Sequence, residues 1–232
     1  MVGVVEGPAD AAVVMLPHPS RAHRQHRRRA TVARALVGWS IVAVGYVRPA
    51  RPEEAAELAR IQVTTWRVAY QRLLPARILD TLDLDWMTGR WREAVASPPT
   101  PRHRVLVAVE QAAQPALVGF AASGPADAQA LTPEEPVPPA TAAITDLLVE
   151  PRWGRRGHGS RLLAASVEHW RDDGFDHALA WAYEADPATR KFLESAGWEA
   201  DGARRALDVD DLLVPQLRYH TRLPEPGQTA RA

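Results

Sequence analysis

The sequence predicts an α/β fold in which a mixed sheet is flanked by helices. Residues 104–110 and 116–123 are two apolar stretches joined by a short polar link, which is typical of a hairpin. From residue 143 onward, predicted strands alternate with predicted helices. Hairpins followed by strand–helix alternation indicate a mixed sheet, because antiparallel and parallel strand pairs then occur together.

One strand and two helical stretches are predicted before the hairpin. Residues 41–47 are rich in β-branched side chains and lead into Arg48-Pro49, so we expect the first strand there. In residues 52–71, apolar side chains recur with a helical period after a proline in the first turn, which predicts a helix. A second helical stretch covers residues 76–95 and is interrupted near residues 83–85.

The segment after the hairpin is rich in proline. Residues 124–140 contain five prolines and several acids, which predicts an exposed loop. A loop of this length in a compact domain is usually functional or disordered. The elements predicted after it are strands at residues 143–149, 177–183, 198–209 and 216–223, and helices at residues 159–173 and 188–196.

Both ends of the chain lie outside the predicted domain, which covers residues 44–223. Residues 1–43 contain a cluster of arginines and histidines followed by the start of an apolar run of about 13 residues, shorter than the ~20 that a membrane-spanning helix needs. This order resembles a signal peptide, but no suitable cleavage site follows. We favour a disordered basic tail or an over-long annotated start over an RNA-binding or membrane-binding patch. Residues 224–232 are expected to be a disordered tail.

The composition excludes several classes of function. Formal net charge is zero, so no overall field attracts nucleic acid or an anionic membrane. There are no cysteines, which excludes disulfides, thiolate metal sites and an acyl-cysteine intermediate. Lys191 is the only lysine among many arginines, which suggests a GC-rich bacterial genome. We expect a cytoplasmic monomer or homodimer without a metal.

The most informative segment is the glycine-rich turn at residues 150–163. It follows an apolar strand, contains Arg155 and Arg156 among three glycines, and opens an amphipathic helix. A helix start offers unpaired N–H groups and partial positive charge, and glycines let the backbone approach an anion closely. The turn therefore predicts a diphosphate site that includes Gly157, Gly159 and Ser160.

This turn has alternative interpretations. A glycine-rich surface turn without a ligand is the simplest alternative. The segment lacks the GxxxxGK[ST] pattern, which excludes a P-loop. A dinucleotide-binding fingerprint would need a glycine where Leu162 stands, although Glu184 follows the next strand as a ribose acceptor.

Three motifs resemble the GNAT superfamily of N-acetyltransferases over residues 44–223. The segment Gly154-Arg155-Arg156-Gly157-His158-Gly159 is similar to the family's [Q/R]-x-x-G-x-[G/A], with glycine at the leading position. Residues 188–198 resemble the family's A-x-x-F-Y-E-x-x-G-F, with Leu193 in place of the tyrosine. Residues 66–75 resemble a bacterial branch that begins W-x-x-A-Y-x-x-x-L-P. Each motif is loose alone, but their order and separation are specific.

The resemblance implies a six- to seven-stranded sheet and a site for acetyl-CoA as cosubstrate. Pantetheine would pair with backbone groups at Leu147 and Val149, on the fourth strand. The diphosphate would lie at residues 155–160, with His158 as a solvent-facing or phosphate-facing neighbour. Asp186 stands where relatives often carry an asparagine that contacts the cofactor arm.

Acyl transfer requires a neutral amine, so a base near the thioester would help, because a typical amine with a pKa near 10.4 is mostly protonated at pH 7. Strand alternation puts Ile144, Asp146 and Leu148 on one face, which makes Asp146 the first candidate base. A structural role for Asp146 is an equal alternative, and Glu184 is the second candidate.

The general acid and the acceptor site are less defined. The family's usual tyrosine acid is absent at Leu193, and Tyr183 is a substitute by position. Trp66 and Tyr70 lie one helical turn apart and are either core residues or part of the acceptor site.

The sequence thus predicts an acyl-CoA-dependent N-acyltransferase that acts on an amine of a small molecule or protein. An acyl-CoA-binding regulatory module without turnover is the alternative, because Gly154 and Leu193 depart from the family motifs. A nicotinamide-dependent oxidoreductase is a third candidate.

Overall fold

The computed structural model describes residues 45–223 except residues 112, 129, 133 and 134. These residues form one seven-stranded sheet with the order β1-β2-β3-β4-β5-β7-β6. The strands are β1 (Tyr46–Pro49), β2 (Arg104–Glu110), β3 (Ala116–Pro125), β4 (Thr141–Val149), β5 (His177–Tyr183), β6 (Glu199–Val209) and β7 (Leu212–Arg222). Every neighbouring pair is antiparallel except β4 and β5, which are parallel. The predicted mixed α/β fold class is confirmed.

Five α-helices lie among the described residues. They are α1 (Ala55–Ala69), α2 (Ala76–Asp80), α3 (Leu84–Ala96), α4 (His158–Asp172) and α5 (Pro187–Ser195). The predicted interruption near residues 83–85 is the boundary between α2 and α3, where the Asp83 side chain accepts a hydrogen bond from the Trp86 amide. Such a cap satisfies an amide at the helix start that has no partner within the helix. A 3-10 turn, Pro52–Glu54, leads into α1.

The hydrophobic core lies on both faces of the sheet. On one face, α4 packs Leu162, Leu163 and Trp170 against the strands. On the other face, α1 and α3 pack side chains that include Ile61 and Trp91. We call these the α4 face and the α1 face. Because the central strands are covered on both faces, the side chains on both faces are apolar, and the sequences of these strands are nearly continuous apolar runs.

A bulge in β4 changes which side chains share a face. The register with β3 shifts so that Asp146 pairs with Ala122, whereas Ile144 pairs with Ser123, and Thr145 is the extra residue. Ile144 and Leu147 consequently pack on the α4 face, whereas Leu148 packs on the α1 face. The expectation that Ile144 shares a face with Asp146 and Leu148 is wrong, because one inserted residue reverses the alternation.

The prediction that the proline-rich segment is an exposed loop is only partly correct, because some of its side chains are buried. Its Ala126, Ala130 and Leu131 are buried against Ala143 and Leu179 of β4 and β5. The Trp181 indole N–H donates a 2.9 Å hydrogen bond to the Ala130 carbonyl, which ties the segment to the sheet. The segment therefore covers the part of the α1 face that the helices leave open.

Most predicted element bounds agree with the structure to within two residues, and β7 begins four residues before its prediction. Residues 41–44 of the predicted first strand lie outside the described residues, as do the predicted N-terminal extension and the tail at residues 224–232. No helix among residues 45–223 is long and apolar enough to cross a membrane, as far as the structure describes that range.

Candidate active site

Strands β4 and β5 separate halfway along their length. Their parallel pairing covers only Thr141 to Ile144 of β4, opposite His177 to Ala180 of β5. Beyond that point β4 continues to pair with β3 on its other side, and β5 continues to pair with β7. The β5-facing edge of residues 145–149, which includes the predicted positions Leu147 and Val149, is therefore outside the ladder. Unpaired strand backbone can accept and donate hydrogen bonds to an extended ligand.

The predicted phosphate turn lies at the same end of β4. Gly157 is the N-cap of α4 and has a φ of 77°, in the left-handed region that glycine adopts without steric cost. Arg155 also has a positive φ, 64°. The first helical N–H groups, at His158, Gly159 and Ser160, have no carbonyl within the helix to bond to. The turn thus presents several amides and the positive end of the α4 dipole in one place.

Arg156 lies beside these amides and is half exposed. Its guanidinium lies 4.8 Å from the centre of the Trp153 ring, and its Nη1 lies 3.6 Å from Glu110 Oε1. Arg155 is exposed. Cations held at a helix start favour a bound phosphate, so the electrostatics agree with the predicted diphosphate site.

The His158 side chain points into the protein. Its side chain is 0% exposed, and its Nε2 lies 2.9 Å from Glu110 Oε2. The expectation that this side chain faces solvent is wrong, because Glu110 and Arg161 enclose it. Arg161 Nη2 donates to His158 Nδ1 across 3.0 Å. A guanidinium only donates, so Nδ1 is the acceptor in this contact, and burial lowers the pKa of His158, with the Arg161 charge adding to the shift.

Asp146 is a buried carboxylate on the α1 face. The residue is 3% exposed. Its Oδ1 has no hydrogen-bond partner among the described residues. Desolvation raises the pKa of Asp146 well above its ordinary value, and a hydrogen bond from Thr145 opposes that shift only partly. A carboxylate with a raised pKa is a stronger proton acceptor than an ordinary aspartate.

Two tyrosines lie near Asp146. The ring centres of Tyr70 and Tyr183 are 5.3 Å apart, in an edge-to-face arrangement. Burial raises the pKa of Tyr183 to about 12, although the Arg205 charge opposes this shift, and Asp146 adds a smaller contribution in the same direction as burial. Burial also raises the pKa of Tyr70, to which Tyr183, Asp186 and Asp146 contribute. Trp66 packs against Tyr70 with ring centres 6.2 Å apart. The structure thus brings together four residues that sequence reasoning had placed in two separate groups.

The two other predicted acids are engaged elsewhere. Glu184 Oε1 forms a 3.0 Å ion pair with Arg204, and the Glu184 and Arg204 side chains are 40% and 66% exposed. Asp186 is buried and caps α5, accepting hydrogen bonds from the Ala188 and Thr189 amides and from the Thr189 hydroxyl. Burial raises the pKa of Asp186 despite these bonds. A contact of Asp186 with the cofactor stays a prediction.

Sequence reasoning missed several residues around the site. Glu110 was an ordinary strand residue in the sequence, but it lies between His158 and Arg156. Thr65 is fully buried on α1, and its hydroxyl has no partner within the described part of the chain. The only sequence feature that could have pointed to Thr65 was its position as a polar residue on the apolar face of a predicted helix. For Glu110, only its position at the end of an apolar strand was informative.

The chain is similar in sequence to known acetyltransferases. Residues 55–198 match the model of the acetyltransferase (GNAT) family. The uncharacterized N-acetyltransferase YuaI of Bacillus subtilis (strain 168) is 28% identical over 142 residues, which are 61% of this chain and 73% of that protein.

Solved structures show the same fold. The structure of yncA from Salmonella typhimurium with its cofactor acetyl-CoA aligns with a TM-score of 0.55 and 17% identity, over 79% of this chain and 96% of that one. The PaiA N-acetyltransferase from Thermoplasma acidophilum, in complex with coenzyme A, aligns with a TM-score of 0.55 and 14% identity, over 77% and 99% of the two chains. With 62% of its length matched by the family model, the chain belongs to the GNAT family of acetyltransferases.

Proposed function

We propose that acetyl-CoA binds where β4 and β5 separate and that its acetyl group passes directly to an amine on the α1 face. The main support is that the unpaired edge of residues 145–149 ends at the left-handed Gly157 turn. An extended pantetheine arm and a diphosphate can then be bound by one continuous stretch of backbone. The absence of cysteine from the sequence supports direct transfer over an acyl-cysteine intermediate.

Asp146 is proposed as the base. The amine nitrogen attacks the thioester carbon, a C–N bond forms, and the C–S bond breaks as coenzyme A leaves as a thiolate. Only the neutral amine can attack, so Asp146 accepts the proton that an ammonium must lose first. The proton that the nitrogen loses in becoming a neutral amide ends on the departing sulfur. The raised pKa of Asp146 supports its role, since general bases work best when their pKa lies near the working pH.

Tyr183 is proposed as the proton donor to the departing thiolate. Its hydroxyl is protonated at neutral pH, because burial raises its pKa to about 12. Leu193, at the position where the resemblance implies a tyrosine, is buried in the core of the α4 face and has no proton to give. A thiol has an ordinary pKa of about 8.5, so the thiolate can also leave without full protonation.

The finer assignments are part of the same proposal. We infer a bacterial, cytoplasmic enzyme, which the arginine-rich, lysine-poor composition and the use of acetyl-CoA support. The acceptor is proposed to be a small-molecule amine, since Tyr70, Asp146 and Tyr183 are each less than a tenth exposed. A bulky protein surface would reach such buried groups less readily than a small molecule.

The decisive experiment is turnover of acetyl-CoA across a panel of amines, followed by Asp146→Asn. We expect Asp146→Asn to keep acetyl-CoA affinity and to lower turnover by roughly 10²–10⁴-fold. Asp172→Asn is the matched control, because Asp172 is exposed near the end of α4, away from the α1 face. Acetyl-CoA binding without turnover of any amine would support the regulatory module instead. Normal turnover by Asp146→Asn from pH 6 to 9 would remove Asp146 from the mechanism.

A further inference from the structure

Three aromatic rings and one carboxylate are gathered on the α1 face. Trp66, Tyr70 and Tyr183 form a chain of rings, with centres 6.2 Å and 5.3 Å apart and interplanar angles of 52° and 73°. Asp146 is close enough to both tyrosines to raise their pKa values. Because the rings are inclined to one another, they present both faces and edges toward their surroundings. We call Trp66, Tyr70, Asp146 and Tyr183 the aromatic–carboxylate cluster.

Polar atoms in this cluster lack partners. Asp146 Oδ1, the Tyr70 hydroxyl and the Trp66 indole nitrogen are all buried, and none has a hydrogen-bond partner within the range that the structure describes. Most buried polar side-chain atoms in proteins do have a partner, so three such atoms together need an explanation. A bound polar group that faces Asp146 and Tyr70 would supply it.

Two nearby side-chain oxygens already accept hydrogen bonds, whereas the Thr65 hydroxyl and Gln216 Nε2 lack partners among the described residues. Gln62 accepts a 2.7 Å hydrogen bond from the Trp91 indole, and Gln216 accepts one of 2.7 Å from Arg205 Nε. The apolar side chains in the same cluster include Phe120, Leu148 and Val214. The environment therefore suits a ligand with one strongly polar end and an apolar body.

A cation fits this environment better than a neutral group. A buried carboxylate without a counter-charge is costly, and an opposite charge within hydrogen-bonding distance removes much of that cost. The faces of Trp and Tyr rings attract cations through their quadrupole, most strongly when water is excluded. A primary alkylammonium ion has donors for Asp146 Oδ1 and the Tyr70 hydroxyl, and charge for the rings.

We propose that the aromatic–carboxylate cluster binds the acceptor as an alkylammonium ion, so that the substrate class is a primary alkylamine with an apolar group next to its nitrogen. This inference rests on the proposed function, because the bound nitrogen is the one that is acetylated. It selects against hydroxyl, amide and aromatic amine acceptors, which carry no positive charge at neutral pH. The ammonium loses two protons in all: Asp146 accepts the one that leaves before attack, and the one that leaves the nitrogen after the C–N bond forms ends on the departing sulfur.

The test compares charged and neutral ligands of the same shape. Calorimetric titration of the protein saturated with coenzyme A, which cannot acetylate, would use benzylamine against benzyl alcohol and n-butylamine against 1-butanol. We expect at least one amine to bind about tenfold or more tightly than its alcohol at pH 7.5, the size expected for a desolvated cation beside rings and a carboxylate. Asp146→Asn should abolish that preference, because the carboxylate is lost while its shape is kept.

Two tyrosine variants separate the ring from the hydroxyl. Tyr70→Phe should keep part of the preference for the amine, since the ring remains, whereas Tyr70→Leu should lose more of it. Tyr219→Phe is the control, because Tyr219 is equally buried but its hydroxyl bonds Glu194 on another part of the sheet. An unchanged melting shift with coenzyme A confirms that each variant is folded.

The possible results distinguish this inference from the proposed function. If amines bind more tightly than the matching alcohols but none is acetylated, the ammonium inference holds and only the proposed transferase function is overturned. If an amine is acetylated while alcohols bind as tightly, or if neither amine binds, the ammonium inference is overturned. A preference that survives in Asp146→Asn also overturns it.

Discussion

Ile144 and Ala180 are the last residues at which β4 and β5 pair, and the two strands separate beyond them. One strand is thus divided into a half bonded on both sides, Thr141 to Ile144, and a half bonded only to β3, residues 145–149. The first half is an internal control for the second. This division makes the proposed position of the cofactor arm testable by amide exchange.

We predict that coenzyme A slows hydrogen exchange in residues 145–149 and leaves residues 141–144 unchanged. The reason is that amides outside the ladder gain partners only when an extended ligand binds there. Mass spectrometry of overlapping peptides, with and without coenzyme A, measures both halves together. Equal slowing of both halves would point to general stabilisation of the fold, and no slowing of the second half would place the arm elsewhere.

Arg156 should contribute to cofactor affinity through its charge. Arg156→Ala removes a charge-assisted contact to a phosphate, so we expect a loss of about 1.5–3 kcal/mol in acetyl-CoA binding, decreasing as salt is raised. Arg92→Ala is the matched control, since Arg92 is exposed on α3, away from the turn. Titration of acetyl-CoA at low and high salt measures both variants. Equal affinities for the wild type and Arg156→Ala at low salt would contradict the assignment.

Local sequence patterns predicted most elements of the fold. Strands β2 and β5 begin and end where alternation and flanking residues indicated. The glycine turn before α4 was also recognisable, because Gly157 and the arginines are neighbours in sequence. Patterns with a period of two or 3.6 residues are local, so they can be read without knowing which elements later come into contact.

Features set by distant contacts could not be predicted in this way. The bulge at Thr145 depends on how β3 and β4 pair, and it moves Ile144 to the other face. The burial of His158 depends on Glu110, which lies 48 positions earlier in the chain. Tyr70, the C-cap of α1, and Asp146, on β4, are brought together only in the folded protein. In each case the deciding partner is far away in sequence.

Replacing the Asp146 carboxylate should stabilise the protein in a way that depends on pH. Because burial raises its pKa above the ordinary value of 3.8, the folded state holds the proton more tightly than the unfolded state. The contribution of the protonated Asp146 side chain to the free energy of unfolding is therefore fully present below pH 3.8, and it is lost as pH rises through the folded-state pKa. Asp146→Asn avoids this loss, so its gain in Tm over the wild type should grow with pH.

Thermal unfolding from pH 4 to 8 checks this prediction, with a gain of roughly 2–4 °C expected for each kcal/mol recovered. Asp172→Asn, at an exposed position, should show no such trend. A Tm of Asp146→Asn below that of the wild type at pH 8 would indicate a structural carboxylate whose hydrogen bonds outweigh its desolvation.

An exposed ion pair joins α2 to the tip of the β6–β7 hairpin. Arg77 Nε lies 2.5 Å from Asp210 Oδ2, and the two side chains are 64% and 47% exposed. Exposed ion pairs of this kind contribute only about 0–1 kcal/mol. Behind the contact, Val209 and Val214 of the hairpin pack in the same cluster as Tyr70. A weak contact beside the proposed acceptor site is suited to open for a substrate.

We therefore predict that locking Arg77 to Asp210 blocks the acceptor but not the cofactor. The chain has no cysteine, so Arg77→Cys with Asp210→Cys provides the only two thiols, and a short bifunctional methanethiosulfonate can bridge them reversibly. The bridged protein should keep its melting shift with coenzyme A, because the cofactor edge of β4 and the Gly157 turn do not involve the hairpin. Benzylamine binding and amine acetylation should fall to background and return after reduction.

Each single-cysteine variant, treated with a monofunctional methanethiosulfonate, controls for loss of the ion pair and for the added group. If the bridged protein acetylates amines as fast as the reduced protein, the acceptor reaches Asp146 by another route and the hairpin is a fixed part of the fold.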